Sequence, residues 1–278
     1  MMPDSNNTIC GMLENIDAFY RMVDELKNVK RSLITNLFLD TNALADLIDN
    51  NEIYYEYVPG NCLNLFLEEW DFYHLYFYMT DPNEYQAPKS NRTMICELFF
   101  NREDDDNRIL IDSLNKAGFY EYAFYHRWLK TTQEETSVTT GHVINKGQEK
   151  GFYDLLLKNF DVFSDHVPQK DEYKAYIDDK ECYSAIDSET GKLLGGLIFS
   201  KKGNVEIEEF VFTDPEYRHR GLASALHDNW YNSNEGSKTR YMAWIRDDNQ
   251  ASIGLHRKFA YERQKMYKVT MKRSKDGR

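Results

Sequence analysis

The sequence predicts an α/β fold, and three observations carry that prediction. A run of strand composition, Val205 to Thr213, ends at Asp214-Pro215 and gives way within a few residues to a helical run, Ala223 to Trp230. A second strand-like run, Thr239 to Ile245, follows that helix. The same alternation marks the first half of the chain. There Met12 to Leu37 and Thr41 to Leu47 show helical spacing, while Cys62 to Leu67, Tyr73 to Met79 and Thr93 to Phe100 read as strands. Leu13, Ile16, Phe19, Tyr20, Val23 and Leu26 form one apolar helical stripe, so they are expected in the core.

In the second half, Phe152 to Phe160 reads as a first helix and the residues around Asp171 to Ile177 as a second. Glu181 to Ile186 and Lys192 to Ser200 form an expected hairpin about Asp187-Ser188-Glu189-Thr190-Gly191. Gly195 and Gly196 in its second strand imply a bulge or the close approach of a ligand. The stretch Thr131 to Gln148, free of aromatic residues, reads as a linker between residues 1–130 and 149–278. Sliding one half onto the other by 142 positions places Asn107 on Asn249, Ile111 on Ile253, Gly118 on Ala260, Phe119 on Tyr261, Tyr125 on Tyr267 and Lys130 on Lys272. This faint repeat makes Phe119 to Lys130 and Tyr261 to Lys272 the last strand of each half.

The junction Tyr217-Arg218-His219-Arg220-Gly221-Leu222-Ala223 is the most informative stretch. A helix that begins there aims its first backbone N–H groups, from residues 219 to 223, at one spot with the helix dipole behind them. Gly221 lets a phosphate approach the backbone, and Arg218 and Arg220 add charge. An anion belongs at this turn.

The spacing Arg218-x-x-Gly221-x-Ala223 resembles the Q/R-x-x-G-x-G/A pyrophosphate signature of the GCN5-related N-acetyltransferases (GNAT), which use acetyl-coenzyme A. A second match lies at the right distance: Asn249, a short helix, Leu255-His256, three residues, then Ala260-Tyr261. The family pattern has tyrosine, glycine and phenylalanine where this chain has His256, Ala260 and Tyr261. The resemblance implies a mixed, mostly antiparallel sheet flanked by helices, and the repeat implies two such domains in tandem. It also implies that the first half is a worn copy. Between Thr80 and Arg92 that half has Pro82 and Pro88 and no glycine, so no phosphate cradle is expected and no acetyl-coenzyme A should bind there. Such a half would serve as scaffold or as one wall of the substrate cleft.

Acetyl transfer from a thioester to an amine needs a neutral amine, a stabilised oxyanion and a proton for the departing thiolate. Carried onto this chain, the resemblance assigns pantetheine contacts to the backbone of Val211, Phe212 and Thr213, and phosphate contacts to Arg218, His219, Arg220, Gly221, Leu222 and Ala223. Asn249 becomes an N-cap that also meets the pantetheine arm. His256 stands where the family's tyrosine meets the sulfur, and an imidazolium can donate that proton. Glu206 and Glu208 alternate onto one strand face and are the candidate bases, Glu206 being the one the resemblance matches best to the family's glutamate base, with the solvated face of a strand as the plain alternative. His227 is expected on the surface, and His219 contributes only its backbone.

Composition bounds the partners. Of the net charge of −12, residues 1–150 carry all and residues 151–278 sum to zero. From Val211 onward the balance is +6, with 14 basic against 8 acidic side chains, which suits a polyanion such as coenzyme A. An acidic first half favours a cationic amine acceptor, and the lack of a basic stripe elsewhere speaks against nucleic acid. Four scattered cysteines with no C-x-x-C pair and seven histidines give no pattern for disulfides or for a metal site. No apolar run approaches the roughly 20 residues of a membrane span and no signal peptide pattern opens the chain, so a cytoplasmic protein is expected. The expectation is an acetyl-coenzyme A-dependent N-acetyltransferase acting on a primary amine. Transfer of another acyl group, a non-catalytic coenzyme A sensor and an aminoacyl-tRNA-dependent transferase remain open, as does the oligomeric state.

Overall fold

The computed structural model describes residues 8–130, 143–178, 180–233 and 239–275. Its contacts divide the chain into two compact units, Met1–Ala123 with Lys268–Arg278, and Phe124–Tyr267. This division falls elsewhere than between the linear halves, because the last strand of each half is shared out between the units. Among the described residues, no helix is long and apolar enough to cross a membrane.

The first unit begins with β1 (Ile9–Met12), α1 (Ile16–Val29), β2 (Ile34–Thr35) and α2 (Thr41–Asp49). Then come β3 (Ile53–Val58), β4 (Cys62–Glu69), β5 (Phe72–Met79), β6 (Met94–Phe100), α3 (Asp105–Lys116) and the start of β7 (Tyr120–Lys130). The stripe read from the sequence holds except at Tyr20, which is exposed: Phe19, Val23 and Leu26 of α1 pack with Leu44 and Ile48 of α2 on Ile53, Leu63 and Leu65 of the sheet. The helical reading of residues 12–37 ran too far, since Val29 ends α1 and Ile34–Thr35 pairs antiparallel with Met79 and Tyr78 of β5. β1 and β3 were not foreseen, because β1 is only four residues long and β3 carries tyrosine on both of its faces, so neither shows a clear alternation.

β1, β3, β4 and β5 pair antiparallel in sequence, whereas β5 and β6 are parallel and meet only at Tyr73↔Met94 and His74↔Ile95. Beyond that point one side chain fills the place between them. Asn36, 2% exposed, donates from Nδ2 to Leu75 O of β5 at 3.0 Å and to Glu97 O of β6 at 3.2 Å. Its Oδ1 accepts from Phe77 N at 2.7 Å. An asparagine amide here does for the two strand edges what a neighbouring strand would otherwise do. Where a phosphate loop would lie, residues 82–84 form a single 3-10 turn, and the next helix opens only at Asp105.

The second unit continues β7 from Phe124 and adds β8 (Val143–Lys146), α4 (Phe152–Leu157), α5 (Tyr173–Asp178), β9 (Glu181–Ile186), β10 (Leu193–Lys202) and β11 (Val205–Thr213). It ends with α6 (Leu222–Asn232), β12 (Arg240–Arg246), α7 (Gln250–Lys258) and β13 (Glu262–Arg273), of which residues to Tyr267 belong to this unit. Of the expected linker, residues 131–142 lie outside the described residues, and Val143–Lys146 is a strand paired with β9. The order β7-β12-β11-β10-β9-β8 is antiparallel except for the β11/β12 pair.

Helices cover both faces of this sheet. On one, Leu222, Leu226 and Trp230 of α6 pack on Leu197, Phe199, Tyr241 and Ala243. On the other, the Phe152 ring of α4 lies on Gly196, where a Cβ would sit 2.4 Å from the ring. Of the two expectations for Gly195 and Gly196, the bulge is found: the β9/β10 register shifts between Leu193 and Gly195, and the space beside the glycines is taken by protein.

The repeat is visible in how two helices end. After α3, Gly118 at φ +87 donates to Asn115 O and Phe119 N to Leu114 O. After α7, Ala260 at φ +58 donates to Arg257 O and Tyr261 N to His256 O. Each residue of the second set lies 142 positions after its counterpart. A Cβ in the left-handed region costs about 1 kcal/mol. Ala260→Gly is therefore expected to stabilise the protein by about 1 kcal/mol, read as a higher urea midpoint. An unchanged or lower midpoint would refute this account of the turn.

Candidate active site

β11 and β12 run parallel in register from Val205↔Arg240 to Glu208↔Ala243, and there the pairing stops. On its other edge β11 stays paired with β10 as far as Thr213, with a bulge that leaves Glu209 without an opposite residue. The bulge thrusts β11 away from β12, so the strands open into a wedge. A cleft of about 660 Å³ lies in it, lined by Glu208 to Thr213, Trp244 to Arg246, and Asn249, Ser252 and Leu255 of the α7 region. Such a volume is in the range of small-molecule sites.

The loop expected to hold phosphate closes one end. Asp214 caps a 3-10 turn, Pro215–Tyr217, by accepting from Glu216 N at 3.0 Å, and Lys192 anchors its carboxylate at 3.0 Å. That hydrogen bond holds the Asp214 carboxyl below its usual pKa. Arg218 is extended, His219 turns left-handed at φ +62 and Gly221 at φ +80. α6 then starts with no side-chain cap, while α1, α2, α3 and α7 are capped by Asn15, Asp40, Asp104 and Asn249. Its first N–H donors are thus left for a ligand or solvent. Arg218 reaches across to Asn159 Oδ1 at 2.8 Å, and Arg220 stacks on Tyr217.

The predicted contacts divide as follows. Val211, Phe212, Thr213, Arg218, His219 and Asn249 line the cleft. Arg220 and Gly221 are exposed on the loop, Leu222 turns its side chain into the core, and Ala223 offers its carbonyl to His227. Asn249 is the N-cap foreseen, accepting from Ser252 N at 3.0 Å.

The acid and base candidates are arranged differently from the sequence reading. Glu206 is buried, accepts from Trp230 Nε1 at 2.6 Å and faces Lys201 at 3.4 Å, so it stands away from the cleft lining as a core partner of Trp230. Glu208 does line the cleft. Its Oε2 meets His227 Nε2 at 2.7 Å and His256 Nε2 at 3.3 Å. Both imidazoles have 0% exposure, which corrects the expectation of a surface His227 and sets His256 behind Glu208 and outside the cleft lining. Each Nδ1 lies 2.8 Å from the carbonyl one helical turn back, Ala223 for His227 and Ser252 for His256. Burial alone would raise the Glu208 carboxyl, but His256 and His227 overcome it and hold it well below the carboxylate range. For His256, burial opposes the charge and Glu208 outweighs it, so its pKa is raised.

These three side chains bring ligating atoms within 4.8 Å of one another. Ligands of a tetrahedral zinc, each about 2.0–2.1 Å from the ion, stand about 3.3 Å apart. The 2.7 Å contact is shorter and has the length of a hydrogen bond. Along the cleft, Asp161, Asp165, Glu209 and Asp248 outnumber Arg218 and Arg246. Tyr125 donates to Asp165 at 2.6 Å, and Arg246 holds Asp248 at 2.9 Å. Asp161, Asp165 and Asp248 were not foreseen, since they come from separate loops, whereas Glu209 lies on β11 itself. His227 had a signal: it falls four residues after Ala223 and three before Trp230, on the buried side of α6.

Comparison with known proteins agrees with this fold. The model of the acetyltransferase (GNAT) family matches residues 150–261. No match is found among curated proteins. A GCN5-related N-acetyltransferase from Sphaerobacter thermophilus has a similar structure, with 11% identity, TM-score 0.56, and coverage of 99% of this chain and 97% of that one. A tandem GNAT protein from the clavulanic acid biosynthesis pathway gives 11%, 0.55, 96% and 98%. A conserved protein from Enterococcus faecalis V583 gives 10%, 0.59, 96% and 72%. At these identities the structures speak to fold alone, and the fold they share with this chain is that of GNAT proteins, including a tandem one. A domain of the acetyltransferase (GNAT) family is thus recognised at residues 150–261 of this chain.

Proposed function

We propose that this protein is an acyl-coenzyme A-dependent N-acyltransferase, moving an acetyl group to a primary amine by direct attack. One observation carries the reading: an uncapped helix N-terminus behind a left-handed Gly221 opens at the end of a strand wedge. The loop N–H groups suit a diphosphate, and the β11 edge from Glu209 to Thr213 suits the amides of a pantetheine arm, which would pair with it as an added strand. A backbone N–H near Val211 would hold the thioester oxygen. Glu208, at the point of the wedge, is the ionisable group beside the reacting atoms, and the excess of carboxylates along the cleft favours an acceptor that arrives as a cation.

Residues 149–278 hold this machinery. Among its described residues the first unit has no such loop, and Asn36 occupies the position between its parallel strands, which supports a role for residues 1–130 without acyl-carrier binding.

Calorimetric titration of the full chain with acetyl-coenzyme A, followed by a thiol-release assay across a panel of amines, tests the reading. Binding with turnover is the expected result. Binding without turnover on any amine would replace it with the sensor, and no binding would overturn both.

A further inference from the structure

The hydrogen inventory of the buried cluster leads beyond the identity of the reaction. A backbone carbonyl only accepts, so both Nδ1 atoms, at 2.8 Å from Ala223 O and Ser252 O, carry hydrogen; the Ser252 hydroxyl oxygen, farther from His256 Nδ1 at 3.3 Å, then accepts from it as well. A neutral imidazole has one N–H, so a neutral ring would turn a bare Nε2 lone pair on the carboxylate. Yet both Nε2 atoms converge on the same Glu208 oxygen, at 2.7 and 3.3 Å. A proton must therefore lie on each of the two Nε2–Oε2 lines. The cluster holds two protons against one carboxylate.

We propose that Glu208, His227 and His256 act as one proton relay at the floor of the cleft, in which His227 is a positioning residue working through Glu208. The proposal rests on the acyl-transfer reading for its use and on geometry for its proton content. As the amine nitrogen bonds to the thioester carbon, the C–S bond breaks and sulfur leaves with the electron pair. The acceptor ammonium first gives one proton to solvent; sulfur then takes one proton from the cluster by way of Glu208, and the proton shed by the attacking amine returns there, so the relay ends as it began. Two imidazoles allow this exchange without leaving a bare carboxylate in the interior. The surrounding ionisable groups do not replace it. Tyr231, Tyr241 and Tyr261 are packed about the cluster, with Tyr231 donating to Tyr261 at 3.0 Å. Glu206 is engaged by Trp230, and Lys130 donates to Phe259 O at 2.8 Å.

Nitrogen NMR of the full chain labelled in its histidines tests the proton content directly. Both nitrogens of His227 and of His256 are expected in the protonated range at neutral pH. A bare Nε2 on either ring would overturn the proposal. In His227→Gln, removal of one cationic ring should let His256 hold its proton more tightly, moving the falling alkaline limb of the thiol-release profile up by about one pH unit. Coenzyme A affinity should stay the same. An unmoved limb would reduce His227 to a packing role. If no amine turns over, the acyl-transfer reading fails, while the imidazole signals still decide this one.

Discussion

Gly221→Val is expected to lower the affinity for acetyl-coenzyme A at least a hundredfold, about 2.7 kcal/mol. Gly221 stands at φ +80, immediately before the first turn of α6, in a conformation that a β-branched residue adopts only with strain. A valine there turns the loop out of its left-handed path and swings away the N–H groups of the helix N-terminus. Hydrogen bonds to a charged acceptor are worth about 1.5–3 kcal/mol each, so losing two accounts for the effect. Because Gly221 is exposed on the loop, the substitution should leave the fold intact. Gly221→Asn separates the two causes, since asparagine tolerates the left-handed region. If obstruction by a side chain matters most, both variants bind weakly; if backbone strain does, only valine will. Undiminished affinity in both, measured by calorimetry, would mean that the loop does not touch the ligand.

The second large effect is expected far from that loop in sequence. Asn36→Leu keeps the size of the side chain and removes its amide, leaving Leu75 O, Glu97 O and Phe77 N without this partner inside the first unit. Each buried polar group stripped of its bond costs about 1–3 kcal/mol, so a loss of about 3 kcal/mol or more is expected in urea unfolding. Asn36→Asp should be at least as harmful, because it keeps the acceptor for Phe77 N and turns an oxygen toward two carbonyls. A cost below about 1 kcal/mol in both would mean that the amide is not what holds these strand edges. Neither variant is expected to gain a site for coenzyme A in that unit, since opening the strands does not supply the missing loop.

The two residues differ in how plainly the sequence announces them. Gly221 sits between basic residues, after a strand and before a helix, and such a local pattern has one ready meaning. The N-cap at Asn249 was legible for the same reason, since a capping side chain bonds within three residues of itself. Asn36 was hidden inside an apparent helical stripe, because nothing local distinguishes an asparagine that bridges residues about 40 and 60 positions away.

What the sequence determined by itself was what is settled within one turn or one strand: the order of helix and strand in the second unit apart from β8, the phosphate-type loop, and the matched helix ends at Gly118 and Ala260. What only the tertiary structure decided was which buried charges meet. Strand alternation put Glu206 and Glu208 on one face, and the resemblance favoured Glu206. A bulge at Glu209 and the packing of α6 and α7 then gave Glu206 to Trp230, and Glu208 to His227 and His256. The physical reason is range. Dihedral preferences, caps and turns act over a few residues, whereas the partner that satisfies a buried carboxylate is chosen by how distant elements pack around it.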